Sequence, residues 1–361
     1  MERLNWHLID ELARSDDVHV IGPREAASQI PPAATFYSVP LRPTWKFLLR
    51  AAASTVRIVR TLRPKAVLAG SGLTAPLAWL AARLCGARAV TYIHGLDITT
   101  RHPIYRAIWL PAIRRMDAVI CNSHSTQKFA LAAGVPKERL ALVYPGAKTP
   151  IPERPPEDID RFRKLYEVDD NPVIISVGRL TERKGLREFV LNGLPSILKK
   201  SPRATLLVVG DAPKDALHAH SHAQSPESIL EAARSVGVES AVRFVGAITD
   251  HDLLCTAYQA ADVHVFPVRS IPGDTEGFGM VAIEAATNGL PTVAFATGGV
   301  VDAVADGTSG YLAPPHDYER LADNVIRALD SRDLLRLSCR EHGQKFSWER
   351  FGAEVRHVLL S

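Results

Sequence analysis

The stretch DVHVFPVRSIPGDTEGFGMVAIEAATNG, residues 262–289, contains three successive patterns. The apolar, β-branched run 262–268 predicts a strand, and a loop that contains proline and glycine follows it. The next apolar run ends at Asn288-Gly289, which is typical of a helix C-terminus. A strand, a loop and a helix in this order are half of a βαβ unit, so the stretch predicts a parallel sheet covered by helices.

The same alternation extends through both halves of the 361-residue chain. It predicts an α/β fold of two doubly wound, Rossmann-like domains that face each other across a cleft. Ligands of such sheets bind beyond the carboxyl ends of the strands, so the cleft is the expected site. The proline-rich polar segment 148–160 predicts a linker between the domains. The other strand candidates are 17–22, 36–39, 66–70, 89–95, 118–123, 140–146, 172–178, 205–210, 242–247, 291–296 and 310–314.

The start of the chain departs from this alternation. A helical pattern over residues 2–14 comes first, and no strand candidate precedes it. A parallel unit normally begins with a strand, so we expect the first domain to lack its first strand.

Composition argues against several classes of protein. No apolar run reaches the length of about 18 residues that suggests a membrane-spanning helix, and the acidic N-terminal stretch is unlike a secretory signal. The four cysteines lie far apart, which predicts reduced thiols in a cytoplasmic protein. His218, His220 and His222 alternate and could bind a metal, but a flexible loop over 211–228 is the favoured interpretation.

Charge is distributed unevenly along the chain. Residues 1–150 carry 20 Lys and Arg against 9 Asp and Glu, a net +11, whereas residues 151–361 carry 23 against 30, a net −7. The basic half indicates an anionic partner such as a phospholipid, a polyphosphate lipid or a nucleic acid; solvated surface arginine is the alternative. The segment 42–65 mixes Trp45 and leucines with cations, so it predicts an interfacial helix on an anionic membrane, or else a core-packed helix with a wet side.

Two acids flank the start of the predicted helix after residue 279. The free N–H groups of Gly277, Phe278 and Gly279 at a helix N-terminus predict an anion site. Glu276 lies just before it and Glu284 lies two turns into the helix. A carboxylate there is suited to accept hydrogen bonds from sugar hydroxyls, such as a ribose diol. The alternative is a buried acid paired with a nearby Arg or Lys.

Cations follow another predicted strand, in SVGRLTERKG (176–185). Arg179 at the strand end and Lys184 at the start of the next helix are both predicted to project into the cleft. Two cations there would neutralise a diphosphate, and Arg179 could bind it through two parallel hydrogen bonds. Ordinary surface charge is the alternative, since Glu182 and Arg183 lie between them.

In the first half, YIHGLD (92–97) ends a predicted strand on His94, with Asp97 close by. A histidine at a strand end is a candidate hydrogen-bond donor to a substrate, and Asp97 is a candidate substrate contact beside it. A histidine that merely caps a loop is the alternative.

Together these motifs resemble glycosyltransferase family 4, retaining enzymes of the GT-B architecture. The resemblance covers nearly the whole chain, and its Glu-seven residues-Glu motif is similar to that of mannosyltransferases with lipid acceptors of the phosphatidylinositol type. The matching segments are Glu276 to Glu284, GRLTERKG (178–185), VVGD (208–211), FVGAI (244–248), TGGVVDAV with GTSGYL (297–312), HGLD (94–97), NSHST (122–126) and VYPG (143–146).

The resemblance implies a role for each candidate residue. Arg179 and Lys184 would hold the diphosphate without a metal or other cofactor, and His94 would face the reacting sugar. Retention of configuration implies same-face attack assisted by the leaving phosphate, without a dedicated nucleophile. The remaining contacts would be Glu284 to the ribose, Glu276 with the backbone of Phe278, Gly279 and Met280 to the sugar hydroxyls and distal phosphate, and the loops at Gly210 and Gly246 to the base.

The implied function is transfer of a hexose, of mannose or glucose type, from a nucleotide diphosphate sugar to a hydroxyl acceptor in glycolipid or polysaccharide synthesis. An epimerase of the same fold and a non-catalytic binding homologue are the alternatives. The partners expected are the donor, a lipid-linked or saccharide acceptor and an anionic membrane surface, with no nucleic acid. The expected location is the cytoplasm, peripheral on the inner face of the membrane.

The resemblance also divides the chain. An acceptor-side domain is expected over 1–155, a donor domain over 156–345, and a last helix over 346–361 that returns to the first domain. Family members begin with a strand and a Gly-Gly turn before a segment like the one that opens this chain. Since the chain starts at Met1, just after the place of those glycines, we expect a reading frame that extends upstream.

Overall fold

The computed structural model describes residues 2–100, 102–212 and 224–361, so His218, His220 and His222 lie outside the described residues. The chain forms two compact units. The first consists of Met1–Gly146 with Ser347–Ser361, and the second is Ala147–Phe346. Each unit alternates strands with helices, as the sequence predicts.

Each predicted strand run contains one strand. Strands of a parallel sheet that are buried on both faces give near-continuous apolar runs. The strands over 205–209, 263–266 and 292–295 are buried at every residue. The strands are β1 His19–Pro23, β2 Thr35–Val39, β3 Ala66–Ala69, β4 Arg88–Ile93, β5 Ala118–Cys121, β6 Leu140–Leu142, β7 Val173–Val177, β8 Thr205–Val209, β9 Val242–Gly246, β10 Val263–Phe266, β11 Thr292–Phe295 and β12 Gly310–Ala313.

Helices connect the strands as crossovers, and short 3₁₀ turns such as Glu182–Lys184 lie between some elements. The helices are α1 Glu2–Ala13, α2 Thr44–Leu62, α3 Ala75–Cys85, α4 Leu96–Thr99, α5 Pro103–Arg114, α6 His124–Ala132, α7 Pro156–Leu165, α8 Leu186–Asn192, α9 Leu194–Lys200, α10 Pro226–Ser235, α11 His251–Gln259, α12 Met280–Thr287, α13 Val300–Ala303, α14 Tyr318–Asp330, α15 Arg332–Gln344 and α16 Trp348–Leu360.

The second unit has a single parallel sheet with the order β12-β11-β10-β7-β8-β9. Strands β7 to β9 follow one another towards one edge, and β10 to β12 follow one another towards the other. The order therefore reverses between β7 and β10, which is where an open α/β sheet binds its ligand. Ile174 belongs to one apolar core, whereas its neighbours Val173 and Ile175 belong to the other, so helices cover both faces.

The first unit has two parallel sheets, β1-β2 and β3-β4-β5-β6. Among the described residues, no strand joins β1 to β3, so these are two separate sheets. Each of these two strands has a ladder partner on one edge within the part of the chain that the structure describes.

The last helix, α16, packs within the first unit. Its Gly352 lies so close to α1 that a Cβ there would be 2.4 Å from Cβ of Glu11. Arg356 forms an ion pair with Asp16 at 2.7 Å, and the Trp348 ring stacks on His7 with 3.8 Å between the ring centroids. These contacts explain why residues far apart in the sequence belong to one compact unit.

The predicted linker belongs to the second unit. The amide of Ala147 donates to the carbonyl of Phe346 at 2.6 Å. Gln259 accepts from the amide of Arg154 at 2.8 Å and donates to the carbonyl of Pro152 at 3.1 Å. The units therefore divide after Gly146 and after Phe346, rather than at 155 and 345, because the polar groups of the proline-rich segment find their partners on the second unit.

Helix α2 has one buried and one exposed side. Phe47, Ala51 and Val59 are buried, whereas Trp45 is 59% exposed and Leu49 is 63% exposed. Both patterns predicted for this segment are thus present in one helix. In the ranges that the structure describes, no helix combines the length and the apolar character needed to cross a membrane.

Candidate functional site

The candidate site of the second unit begins with three glycines that follow β7, β8 and end β9. Gly178, Gly210 and Gly246 have φ angles of +146°, +146° and +82°, and a Cβ at Gly210 would lie 1.8 Å from the carbonyl oxygen of Gly178. The amide of Gly210 donates to the carbonyl of Gly246 at 2.9 Å. The strand ends thus form a backbone surface without side chains, which permits close approach of a ligand.

The turn from β7 to α8 carries the predicted cations. Arg179 is exposed, and together with Gly178, Lys184 and Phe266 it lines a small pocket. The ammonium of Lys184 lies 4.6 Å from the centroid of the Phe266 ring, within cation–π distance. Lys184 is therefore fixed between β7 and β10, at the point where the strand order reverses.

The turn itself is held by Gly185. A Cβ at Gly185 would lie 2.2 Å from the carbonyl oxygen of Pro267, and its φ of +69° also favours glycine. Within the sequence motif, Lys184 therefore supplies the charge. Gly185 lets the turn approach Pro267 closely, which brings that charge beside β10.

Glu276 receives two cations on one oxygen. Lys184 donates from Nζ to Oε2 at 2.9 Å, and Arg183 donates from Nη1 to the same oxygen. The three side chains are 12–17% exposed. In this structure Glu276 matches the alternative that the sequence left open, an enclosed acid paired with Lys and Arg.

The electrostatics of this group follow from enclosure and charge. Burial raises the pKa of Glu276, but the positive charges of Lys184 and Arg183 outweigh burial and lower that pKa to about 2. Burial lowers the pKa of Lys184, and the charge of Glu276 acts in the opposite direction. Glu276 is thus a carboxylate at neutral pH, which can accept hydrogen bonds but cannot donate one.

Arg183 is the site residue that the sequence interpretation missed. On the sequence alone it is only a residue between the two predicted cations, without a role at the site. In the structure its Nε lies 3.0 Å from Oδ1 of Asp274, in addition to its contact with Glu276. The sequence shows three consecutive charges, Glu182-Arg183-Lys184. It does not show their partners, which lie some 90 residues further along the chain.

The N-terminus of α12 has the predicted glycine surroundings. Gly279 has a φ of +96° and precedes the helix, which begins at Met280. Phe278 is buried and packs against Phe346 with 5.7 Å between ring centroids. Gly277 is half-buried, so its backbone remains accessible before the helix. The eight-residue helix therefore presents its first N–H groups beside a carboxylate that is already neutralised by cations.

Glu284 lies inside α12 and is buried. Its Oε2 is 3.5 Å from the hydroxyl of Tyr258, and its carbonyl accepts from Thr287 Oγ1 and Asn288 Nδ2. The two acids of the motif thus have different surroundings, since Glu276 contacts cations and Glu284 lies near a tyrosine hydroxyl.

In the first unit, His94 directly follows β4 and is half-buried. Its Nε2 lies 3.0 Å from the carbonyl oxygen of Gly70, to which it can donate, and its amide donates to Oδ2 of Asp97 at 2.9 Å. Burial lowers the pKa of His94, although the charge of Asp97 acts to raise it. Asp97 thus contacts the backbone of His94, and the imidazole makes the loop contact that was the alternative interpretation.

Within the described ranges, 2–100, 102–212 and 224–361, no three His, Cys, Asp or Glu side chains come together as a metal site requires. The charged groups that the site offers are the cations and carboxylates above. Such a set is suited to bind an anion and polar hydroxyls.

Two families match this chain. Residues 158–346, more than half of the chain, match the glycosyl transferases group 1, and residues 1–149 match glycosyltransferase family 4. These two matches together cover most of both compact units and leave out residues 150–157 and 347–361.

Individual proteins are also similar in sequence. The GDP-mannose-dependent alpha-(1-6)-phosphatidylinositol monomannoside mannosyltransferase of Mycobacterium tuberculosis is 31% identical over 269 residues, which cover 73% of this chain and 66% of that protein. The D-inositol 3-phosphate glycosyltransferase of Corynebacterium aurimucosum is 33% identical over 279 residues, which cover 75% of this chain and 63% of that protein. The chain thus spans slightly less than two thirds of the length of these relatives.

Solved structures share the fold. The structure of Anabaena HepE in complex with UDP has a TM-score of 0.80 at 19% identity and covers 99% of this chain and 95% of that one. A glycosyltransferase from Rickettsia africae has a TM-score of 0.80 at 17% identity, with 99% and 93% covered. At these identities the likeness establishes the two-domain α/β fold known as GT-B.

Proposed function

Because this chain belongs to glycosyltransferase family 4, we propose that it transfers a hexosyl group from a nucleotide diphosphate sugar to a hydroxyl acceptor. The observation that carries the proposal is the meeting of Lys184 and Glu276 at 2.9 Å, where the strand order reverses. Such a pair puts a cation suited to a diphosphate beside a carboxylate suited to hydroxyl groups, which supports the proposal. Both are required where a sugar is joined to a diphosphate.

The donor contacts follow from this arrangement. Arg179 and Lys184 bind the diphosphate, and the first N–H groups of α12 bind its distal phosphate. Glu276 and the backbone over 277–280 accept and donate to the sugar hydroxyls. Glu284 binds the ribose, and the glycine surface at Gly210 and Gly246 receives the base.

We assign the reaction to the retaining class. The leaving diphosphate accepts the proton of the attacking hydroxyl on the face that it leaves, so the bond to the anomeric carbon forms on the side where the old bond breaks. Arg179 and Lys184 stabilise the charge that develops on the diphosphate. Glu276 is ionised and favours the positive charge on the sugar ring. In the first unit, Asp97 fixes the backbone of His94.

For the acceptor we propose a lipid-linked or saccharide hydroxyl, used on the cytoplasmic face of a membrane in glycolipid or polysaccharide synthesis. The support is α2, whose exposed Trp45 and Leu49 adjoin the exposed cations Arg50 and Arg57. An apolar surface flanked by cations is suited to an anionic interface. The mannosyltransferase and inositol-phosphate glycosyltransferase similar to this chain favour an inositol or lipid acceptor.

The test is an assay of a panel of nucleotide sugars with and without lipid and saccharide acceptors. Acceptor-dependent release of nucleotide diphosphate, with the anomeric configuration retained, is the expected result. Release of a free sugar epimer without acceptor would indicate the epimerase, and nucleotide binding without turnover would indicate a non-catalytic homologue. Glu276→Gln should reduce kcat more than it reduces nucleotide affinity, because it removes charge while keeping shape.

A further inference from the structure

This inference rests on the proposed function and concerns Arg183, which no part of that function uses. The oxygen Oε2 of Glu276 accepts from both Lys184 and Arg183. Lys184 is also the cation proposed to bind the diphosphate. When a diphosphate arrives, the single ammonium is shared between two anionic partners, which weakens its interaction with Glu276.

Arg183 is held in place independently of Lys184. Its Nε lies 3.0 Å from Oδ1 of Asp274, and its carbonyl accepts from the amide of Arg269 at 2.8 Å. The Arg269 side chain pairs with Glu182 at 3.3 Å and with Glu188 at 3.1 Å. The 3₁₀ turn that carries Arg183 is therefore tied to the loop before α12 by contacts that do not involve the proposed diphosphate ligands.

The geometry points to Arg183 as a positioning residue that retains Glu276 while Lys184 exchanges its carboxylate partner for the diphosphate of the donor. A largely enclosed carboxylate that loses its only cation is strongly destabilised, because removing one partner leaves the charge uncompensated. With Arg183 present, Glu276 keeps a charged partner throughout the exchange. Glu276 therefore stays ionised and directed at the sugar hydroxyls. The free energy needed to separate Lys184 from Glu276 is then small.

The proposal makes a prediction that a direct phosphate contact does not make. If Arg183 acts through Glu276, its removal leaves Lys184 as the only cation of Glu276 and so weakens diphosphate binding. In a chain with Glu276→Gln there is no carboxylate to retain, and removing Arg183 should then have little effect on binding. The two substitutions are expected to be strongly non-additive.

The experiment is a double-mutant cycle in which calorimetry measures nucleotide affinity. GDP and UDP are both tried on the wild type, and the one that binds is used for the variants. Arg183→Gln should weaken binding about tenfold in the wild-type background and less than about twofold in the Glu276→Gln background. Arg183→Lys, which keeps the charge, should restore most of the affinity. The matched control is Arg187→Gln, an exposed arginine on α8, which should bind as the wild type does.

An equal loss in both backgrounds would overturn the inference, because Arg183 would then contact the phosphate directly. Unchanged binding in Arg183→Gln would also overturn it. Should Arg183→Gln lower the melting temperature so far that it does not fold, Arg183→Met, which keeps the length of the side chain without its charge, supplies the same comparison in the two backgrounds. Lys184→Ala distinguishes a failure of this inference from a failure of the proposed function. If Lys184→Ala leaves nucleotide binding unchanged, the proposed donor site itself is wrong.

Discussion

A Cβ atom at Gly299 would lie 2.1 Å from the carbonyl oxygen of Gly277. The amide of Gly299 also donates to the carbonyl of Glu276 at 2.9 Å. Only glycine allows the turn before α13 to approach this closely. Gly299 therefore fixes the backbone of the proposed sugar-binding acid and of the residue after it, although it carries no side chain that could touch a ligand.

Gly299→Ala should displace this backbone and weaken nucleotide diphosphate binding. Its φ is outside the left-handed region, so the cost is steric, roughly 1–3 kcal/mol of unfolding free energy. The control is Gly273→Ala in the loop before α12, where φ is +86° and no atom lies within 4 Å, so backbone strain is introduced without a clash. Calorimetry should show lost nucleotide binding for Gly299→Ala alone. Thermal unfolding measures the stability of both variants. Equal binding by the two variants would contradict the prediction.

Lys184→Ala and Arg179→Ala should each weaken binding of the nucleotide diphosphate by roughly 1.5–3 kcal/mol, the size of a charge-assisted hydrogen bond. The matched control is Lys199→Ala, an exposed cation on α9. Titration calorimetry measures the difference directly. Affinities of both site variants that equal the affinity of the control would show that the diphosphate does not bind here.

Stability should depend on pH through Glu276. Although burial raises the pKa of Glu276, the charges of Lys184 and Arg183 lower it from 4.5 to about 2 in the folded protein. The unfolded chain therefore binds this proton first, and the stabilisation by the carboxylate is complete above pH 4.5 and is lost as the pH falls towards 2.

The measurement is urea unfolding of the wild type and Glu276→Gln. Their difference in unfolding free energy should be constant near pH 6 and smaller by roughly 1 kcal/mol near pH 3.5. Taking the difference between the two proteins cancels the pH dependence of the carboxylates that both contain. A difference that does not change over this range would mean that Glu276 is not held as an ion pair.

Helix α2 should bind anionic vesicles. Each cation near an anionic surface contributes about 1 kcal/mol at low salt, so binding should fade as salt increases. Replacing Arg50, Arg57 and Arg60 by Gln should reduce pelleting with the vesicles. The matched control replaces three exposed arginines of the second unit, Arg187, Arg203 and Arg320. Equal pelleting with neutral and anionic vesicles would exclude an electrostatic membrane contact.

The sequence predicts the strands well because most of them are apolar runs, and β5, β8, β10 and β11 are buried at every residue. It also predicts the end of α12 from Asn288-Gly289, a local signal. It does not predict the partners of Arg183, since Asp274 and Glu276 are distant in sequence and a charge pattern does not specify pairing. The segment 148–160 has the composition of a linker whether or not it packs, so the division after Gly146 required the contacts of Pro152 and Arg154.

The two units also differ in the order in which a ribosome can complete them. The second unit is one continuous segment, and the amide of Ala147 is hydrogen-bonded to Phe346 at its other end. It can therefore fold as soon as it has emerged. The first unit requires α16, which is made after the whole second unit, so its contacts with α1 join residues at very large sequence separation. Contacts of this kind form slowly. Helix α1 therefore lacks its contacts with α16 until the residues after Trp348 have been synthesised.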